Sequence, residues 1–155
     1  MRRVALIALL SFTAAIAGCA ALGKLVPGHV ETTSLRSVRI AAPPGANLNS
    51  ATQLELVFAY SADAAALLPK TSPEWFAHRE DIVAGGGAAL QVAPIGVVPD
   101  KLIVPFPLPK RHAKAVAVYG FARYVAPAGQ GRLDLTRYRN PVLWLTESRI
   151  TVTDP

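Results

Sequence analysis

Apolar side chains recur at every second position over several stretches of this chain, and that period constrains the fold more than any other feature. Val38, Ile40 and Ala42 share one parity, with Ser37 and Arg39 on the other. Leu54, Leu56, Phe58 and Tyr60 repeat the pattern across QLELVFAY at residues 53–60. Successive side chains of a strand point to opposite faces, so such runs read as β-strands with one face on a core. Residues 90–98 and 101–108 supply two more strands, the first weakened by Pro94. Residues 115–125 are apolar on both parities, the mark of a central strand covered on both faces, and Gly120 within it implies a bulge or a close packing contact. A last strand is expected at 142–152, with Leu143, Leu145, Ile150 and Trp144 as its apolar surface and Trp144 as a core residue.

Three prolines locate one strand within its sheet. Pro105, Pro107 and Pro109 lie two apart, so their missing N–H donors fall along a single side. That side cannot take a ladder partner, which predicts an edge strand protected against pairing with other chains. Its packing face is Leu102, Val104, Phe106 and Leu108.

Between the second and third strands the pattern changes. Residues 61–68 are alanine-rich and stop at Pro69. Ser72-Pro73-Glu74 reads as a helix start, with Ser72 as the cap. Trp75, Phe76, Ile82 and Val83 recur on one side of that helix as packing residues, and Gly85, Gly86 and Gly87 end it. The loop at 43–50 is broken by Pro43, Pro44, Gly45, Asn47 and Asn49, leaving Leu48 as the bulky side chain able to pin it. Residues 126–139 form a long loop anchored by Leu133, Leu135 and Tyr138 and charged at Arg132, Asp134, Arg137 and Arg139. Lys110, Arg111, His112 and Lys114 form a basic cluster ahead of the central strand. Six or seven strands with one helical insertion predict a mainly β protein, a two-sheet antiparallel β-sandwich in which all but the helical connection are short.

The N-terminus determines the compartment. Arg2 and Arg3 precede a brief apolar run that ends in small residues, the pattern of a secretory signal and too short for a comfortable span of about 20 residues. Ile16-Ala17-Gly18-Cys19 resembles the lipobox of bacterial lipoproteins. The resemblance implies a diacylated Cys19 thiol, cleavage before it and acylation of the new amine. Ala20, where aspartate would favour inner-membrane retention, implies delivery to the outer membrane. The expected organisation is a signal peptide at 1–18, a lipidated tether at 19–34 containing the solvated His29, and one domain at 35–155. Cys19 is the one cysteine, so with its thiol acylated no disulfide forms and the fold rests on its core. The formal charge of +6 falls to +4 without Arg2 and Arg3, and neither that balance nor the compartment calls for nucleic acid.

Catalytic signatures are missing. The sequence has no G-x-S-x-G elbow, P-loop, H-E-x-x-H or dinucleotide fingerprint. His29, His78 and His112 fall on a tether, a helix face and a basic turn, and His78, Glu80 and Asp81 read as a solvated helix surface. The expectation is a protein that is not an enzyme and needs no metal or cofactor.

The order of these features resembles the TssJ family, the outer-membrane lipoproteins of type VI secretion. Carrying the resemblance are the lipobox, a first strand leading to Leu48-Asn49, the QLELVFAY strand with its alanine-rich insert and the Trp75-Phe76 helix, the proline-bearing strand, the long strand through Tyr119 and Tyr124, the arginine loop and a closing strand. It implies a transthyretin-like sandwich on the periplasmic face of the outer membrane, docking the periplasmic domain of the inner-membrane secretion protein TssM. The family's contact loop corresponds to Gly45, Ala46, Asn47, Leu48, Asn49 and Ser50, with the arginine loop at 132–139 as the other candidate. The alternative class is a ligand-binding or transport lipoprotein, which requires an apolar pocket between the sheets.

Overall fold

The computed structural model describes residues 30–155. The chain divides into two units, Met1–Val30 and Glu31–Pro155, and the second is the one described here. The expected signal peptide, Cys19, His29 and most of the tether lie outside the described residues.

Eight strands build two four-stranded sheets. The first sheet has the order β4-β1-β7-β8, from β1 (Arg39–Ala42), β4 (Lys101–Pro105), β7 (Val142–Leu145) and β8 (Ile150–Thr153). The second has the order β3-β2-β5-β6, from β2 (Thr52–Ala59), β3 (Leu90–Val97), β5 (Ala117–Ala122) and β6 (Leu133–Asp134). The expected mainly β, two-sheet arrangement with a helical insertion is the one observed. All pairs are antiparallel except β1 with β7, which run parallel with Arg39 opposite Val142. These strands lie far apart in the chain, so the short connections that predict antiparallel neighbours say nothing about them.

The period-two runs find the faces expected of them. Val38, Ile40 and Ala42 meet Leu54, Leu56 and Phe58 between the sheets, with Val118, Ala122, Leu143 and Leu145 completing that core. The opposite face of the second sheet is covered by the insertion, α2 (Ala62–Ala66) and α3 (Ser72–Gly86). There Val57, Ala59, Ala117 and Phe121 pack with Ala64, Leu68 and Trp75. Trp75 stacks on Phe121 with ring centroids 4.9 Å apart, as a core residue. β5 is the double-faced central strand that its composition predicts, paired with β2 and β6. Gly120 keeps β5 in register without a bulge. A Cβ there would stand 3.2 Å from Leu133 Cδ1 and 3.3 Å from Leu56 Cδ2, so its role is close packing.

β4 lies at the edge of its sheet, as expected, and ends at Pro105, so Pro107 and Pro109 fall beyond it. Beyond it, the Phe106 N–H donates to Val38 O at 2.9 Å, on the β1 side. By alternation the N–H positions of Pro105 and Pro107 face the open side.

Three local expectations need correction. The final strand is a hairpin, β7 and β8, turned by Thr146, whose N–H donates to Arg149 O at 2.9 Å. No glycine, proline or asparagine announces that turn. Trp144 points outward between buried Leu143 and Leu145, 40 % exposed, with its indole N–H donating to Thr153 Oγ1 at 3.0 Å. α3 is capped by Thr71, whose hydroxyl accepts from the Glu74 N–H, because Ser72 Oγ is buried and accepts from the Ala122 N–H at 2.9 Å. Both are good capping residues, and β5 decides between them. At the N-terminal side, Thr33 is buried and donates its N–H to Ala115 O at 2.7 Å. Among the described residues no helix is long and apolar enough to cross a membrane.

Candidate functional site

The connection from β1 to β2 is held far more tightly than its composition suggests. Gly45, at φ +86°, opens a one-turn helix, α1 (Ala46–Asn49), in which Asn47, Leu48 and Asn49 all have positive φ of 50–59°. Left-handed backbone costs an ordinary residue about 1–2 kcal/mol, and asparagine is among the residues that visit it most readily. Leucine has no such advantage, so the turn persists only because its surroundings fix it.

Asn47 does the fixing. It is 1 % exposed, and its Nδ2 donates to Thr52 Oγ1 at 2.9 Å and to Arg123 O at 3.2 Å. Its Oδ1 accepts from the Val125 N–H at 2.7 Å, and its own N–H donates to Thr146 O at 2.9 Å. One residue thereby joins α1, β2, the segment after β5 and the β7–β8 turn, the first three through its side chain and the last through its backbone N–H. Tyr124 reinforces the junction by donating its hydroxyl to Thr146 O at 2.6 Å. Burial pushes that phenol up to about 12. Gly129 lies against the same ring: a Cβ there would collide with Tyr124 Cδ1.

The expected anchor and the observed one therefore differ. Leu48 does not tuck into the domain; it is 49 % exposed, and Asn47 and Ala46 are buried in its place. The reason is the left-handed turn, which directs successive side chains differently from a strand-like loop. Asn49 is exposed, and Gly45 and Ser50 are half-buried. Of the six loop positions, the structure offers Leu48 and Asn49 most fully to solvent. An edit of residues 45–47 consequently removes a buried keystone and is not neutral for folding.

Two further exposed apolar side chains occupy this end of the sandwich. Val125 is 56 % exposed and bonded through its N–H to Asn47, and Val98 is 50 % exposed in the turn following Val97, which pairs with Thr52. Sequence reading does not mark either valine. Each follows a strand end, and only the tertiary fold brings those ends together.

The arginine loop is engaged internally. The Arg132 guanidinium lies 4.0 Å over the Tyr119 ring and donates to Leu68 O and Pro69 O at 3.1 and 3.3 Å. Arg137 pairs with Glu31 at 2.6 Å, and the Arg139 backbone N–H donates to Asp154. His78, Glu80 and Asp81 line an open groove of about 380 Å³ on α3 together with Phe76, Arg79 and Arg123. Arg79 is directed to Glu55, at 2.8 Å. Among the described residues no group of three or more His, Cys, Asp or Glu is placed to hold a metal ion.

No protein-family model matches the chain, and no curated protein does. Solved structures do. The type VI secretion lipoprotein TssJ1 from Pseudomonas aeruginosa superposes with a TM-score of 0.54 at 14 % identity, over 81 % of this chain and 98 % of that one. Lip from Serratia marcescens, a membrane-bound component of the type VI secretion system, gives 0.55 at 10 % identity, over 77 % and 96 %. A chain of a type VI membrane complex gives 0.50 at 14 % identity, over 76 % and 95 %. The likeness is one of fold. At such identities it does not reach the residues of the α1 turn.

Proposed function

We propose that this chain is a periplasmic lipoprotein anchored in the outer membrane through Cys19, and a structural, non-catalytic component of a type VI secretion membrane complex. Its partner in this reading is the periplasmic domain of the inner-membrane protein TssM, and the contact is the α1 end of the sandwich. The fold shared with type VI secretion proteins supports the assignment. The observation that carries the choice of surface is the locked left-handed turn. Asn47 is buried to hold it, and the result is an exposed Leu48 at the same end as Val125 and Val98. A rigid loop with an apolar tip loses little entropy on docking and buries hydrocarbon when it does so. The arginine loop is the weaker candidate because Arg132 and Arg137 already have partners within the domain.

The ligand-binding alternative calls for space between the sheets. That volume is filled by Leu54, Leu56, Phe58, Val118, Leu143 and their neighbours.

The test is a titration of the chain against the TssM periplasmic domain, with Leu48→Asp and Val125→Asp variants. Both sites are exposed, so thermal stability should hold while affinity falls tenfold or more, on the order of 1.4 kcal/mol. Unchanged affinity in both variants would move the contact away from this end.

A further inference from the structure

One end of the sandwich carries a cluster of exposed cations. At the end opposite α1, β2 finishes at Ala59, β5 begins at Ala117, and the chain enters the domain through Thr33, bonded to Ala115. The connector from β4 to β5 crosses this end and carries Lys110, Arg111 and Lys114, all exposed. They are not on a loose arm. A one-turn 3-10 helix spans His112–Lys114, with the His112 N–H donating to Pro109 O at 2.9 Å and the Lys114 N–H to Arg111 O at 2.8 Å. The Arg111 guanidinium lies 4.2 Å over the Tyr60 ring.

None of these three cations joins an ion pair among the described residues. Arg36 and Arg139, also exposed, extend the cationic surface along the neighbouring segment, where the Arg36 N–H donates to Arg139 O at 2.8 Å. The carboxylates on the elements of this end are Glu31, Asp63, Asp134 and Asp154, and Asp134 accepts the Thr136 N–H at 3.0 Å. Glu31 is paired with Arg137, and Asp154 accepts the N–H groups of Arg139 and Asn140. Asp63 stands in the first turn of α2. The balance at this end is positive.

We propose that this end, centred on Lys110, Arg111 and Lys114, is a contact surface for a layer of anionic phospholipid headgroups. The orientation rests on the lipoprotein reading; the surface chemistry does not. Eleven residues, Ala20 to Val30, separate Cys19 from Glu31, and an extended chain of that length reaches at most about 40 Å. The chain enters the domain at the cationic end, so an anchor at Cys19 attaches the domain from this side and leaves the cations within reach of the bilayer. Attraction to an anionic surface fades within a Debye length of about 8 Å, and a short tether keeps the cations sampling that layer. Contact there turns the α1 end away from the membrane, toward the space from which a periplasmic partner arrives.

The experiment uses the full chain acylated in cells and reconstituted into vesicles carrying headgroup spin-labelled lipid. A fluorophore is placed at Ala113→Cys, inside the basic cluster, or at Ser148→Cys, in the β7–β8 turn at the other end. In vesicles containing phosphatidylglycerol, the Ala113 label should be quenched and the Ser148 label not. Salt should relieve the quenching, and Lys110→Glu with Arg111→Glu and Lys114→Glu should lower the headgroup-bound population on the order of a hundredfold. Lys110→Gln with Lys114→Gln, which keeps the Arg111–Tyr60 contact, should give an intermediate loss and guards against misfolding of the triple variant. Equal quenching at Ala113 in phosphatidylcholine vesicles, or none with phosphatidylglycerol, overturns the proposal and leaves the cluster to an acidic protein. Retention of the chain on phosphatidylcholine vesicles reads the anchor separately. If it is lost, the lipoprotein reading fails, while charge-dependent quenching still decides the surface.

Discussion

The indole N–H of Trp75 donates to Glu55 Oε2 at 3.0 Å, and both residues are almost completely buried, at 0 % and 2 % exposure. A carboxylate thus sits on the helix-covered face of the second sheet. It is tolerated because its oxygens are occupied: Arg79 Nε donates to the same oxygen at 2.8 Å, and Gln53 Nε2 donates to Oε1 at 3.0 Å. The pair fastens α3 to β2 across the interface where Trp75 stacks on Phe121.

Substitutions at Glu55 should therefore rank by what they leave for Trp75. Glu55→Gln keeps an acceptor and should cost about 1 kcal/mol. Glu55→Leu strands a buried indole N–H and should cost about 3 kcal/mol. Urea denaturation midpoints give the ranking, and equal stability of the two variants would show that the Trp75–Glu55 bond contributes nothing.

The two tryptophans should behave oppositely. Trp75 is fully buried, and Trp144 is 40 % exposed on the outer face of its sheet. Trp75→Ala should cost about 3–5 kcal/mol, while Trp144→Ala should cost less than about 1 kcal/mol. In a Trp144→Phe variant the remaining fluorescence should be blue-shifted and resistant to iodide; strong quenching would contradict the packing of α3.

Leu48 should trade stability against binding. Leu48→Asn suits the residue's φ of +54° better than leucine does. It should raise stability by about 1 kcal/mol, while weakening the TssM contact proposed above. Thermal melts read the first effect and titration the second. A destabilised Leu48→Asn variant would mean that the leucine packs more than its exposure indicates.

Alkaline titration should reveal Tyr124. Its phenol is pushed up from 10.0 to about 12 by burial, so the folded state holds the proton more tightly than the unfolded chain. The stabilisation is fully present below about pH 10 and is lost as pH rises toward about 12. Tyr124→Phe should be less stable at neutral pH by about 1 kcal/mol, through loss of the bond to Thr146 O. It should also show a smaller decline in this window. Parallel declines in the two proteins would assign the alkaline loss to other groups.

The strands themselves were legible because a half-buried strand needs alternation that few other structures require. Leu54, Leu56 and Phe58 could face only one core, and the apolar residues of β5 required two. Pro105, Pro107 and Pro109 predict the edge position of β4 because a missing donor is a chemical fact of the residue. What sequence reasoning lacked was anything that depends on distant partners. The β7–β8 turn carries no glycine or proline, so its polar residues read as part of one long strand. Trp144 reads as a core residue by its size, but it alternates with buried Leu143 and Leu145 and the outer face of its sheet leaves it 40 % exposed.

The loop at 45–50 shows the division most clearly. From composition alone Leu48 is the anchor, since hydrocarbon seeks burial and asparagine favours turns. The structure reverses the two, because Asn47 finds acceptors and donors on β2, beyond β5 and on the β7–β8 turn that are separated from it by up to about 100 residues of chain. Sequence determines which residues can satisfy such a junction. Only the packed fold determines which of them meets its partners, because hydrogen-bond geometry is set by the convergence of strand ends that local periodicity does not encode.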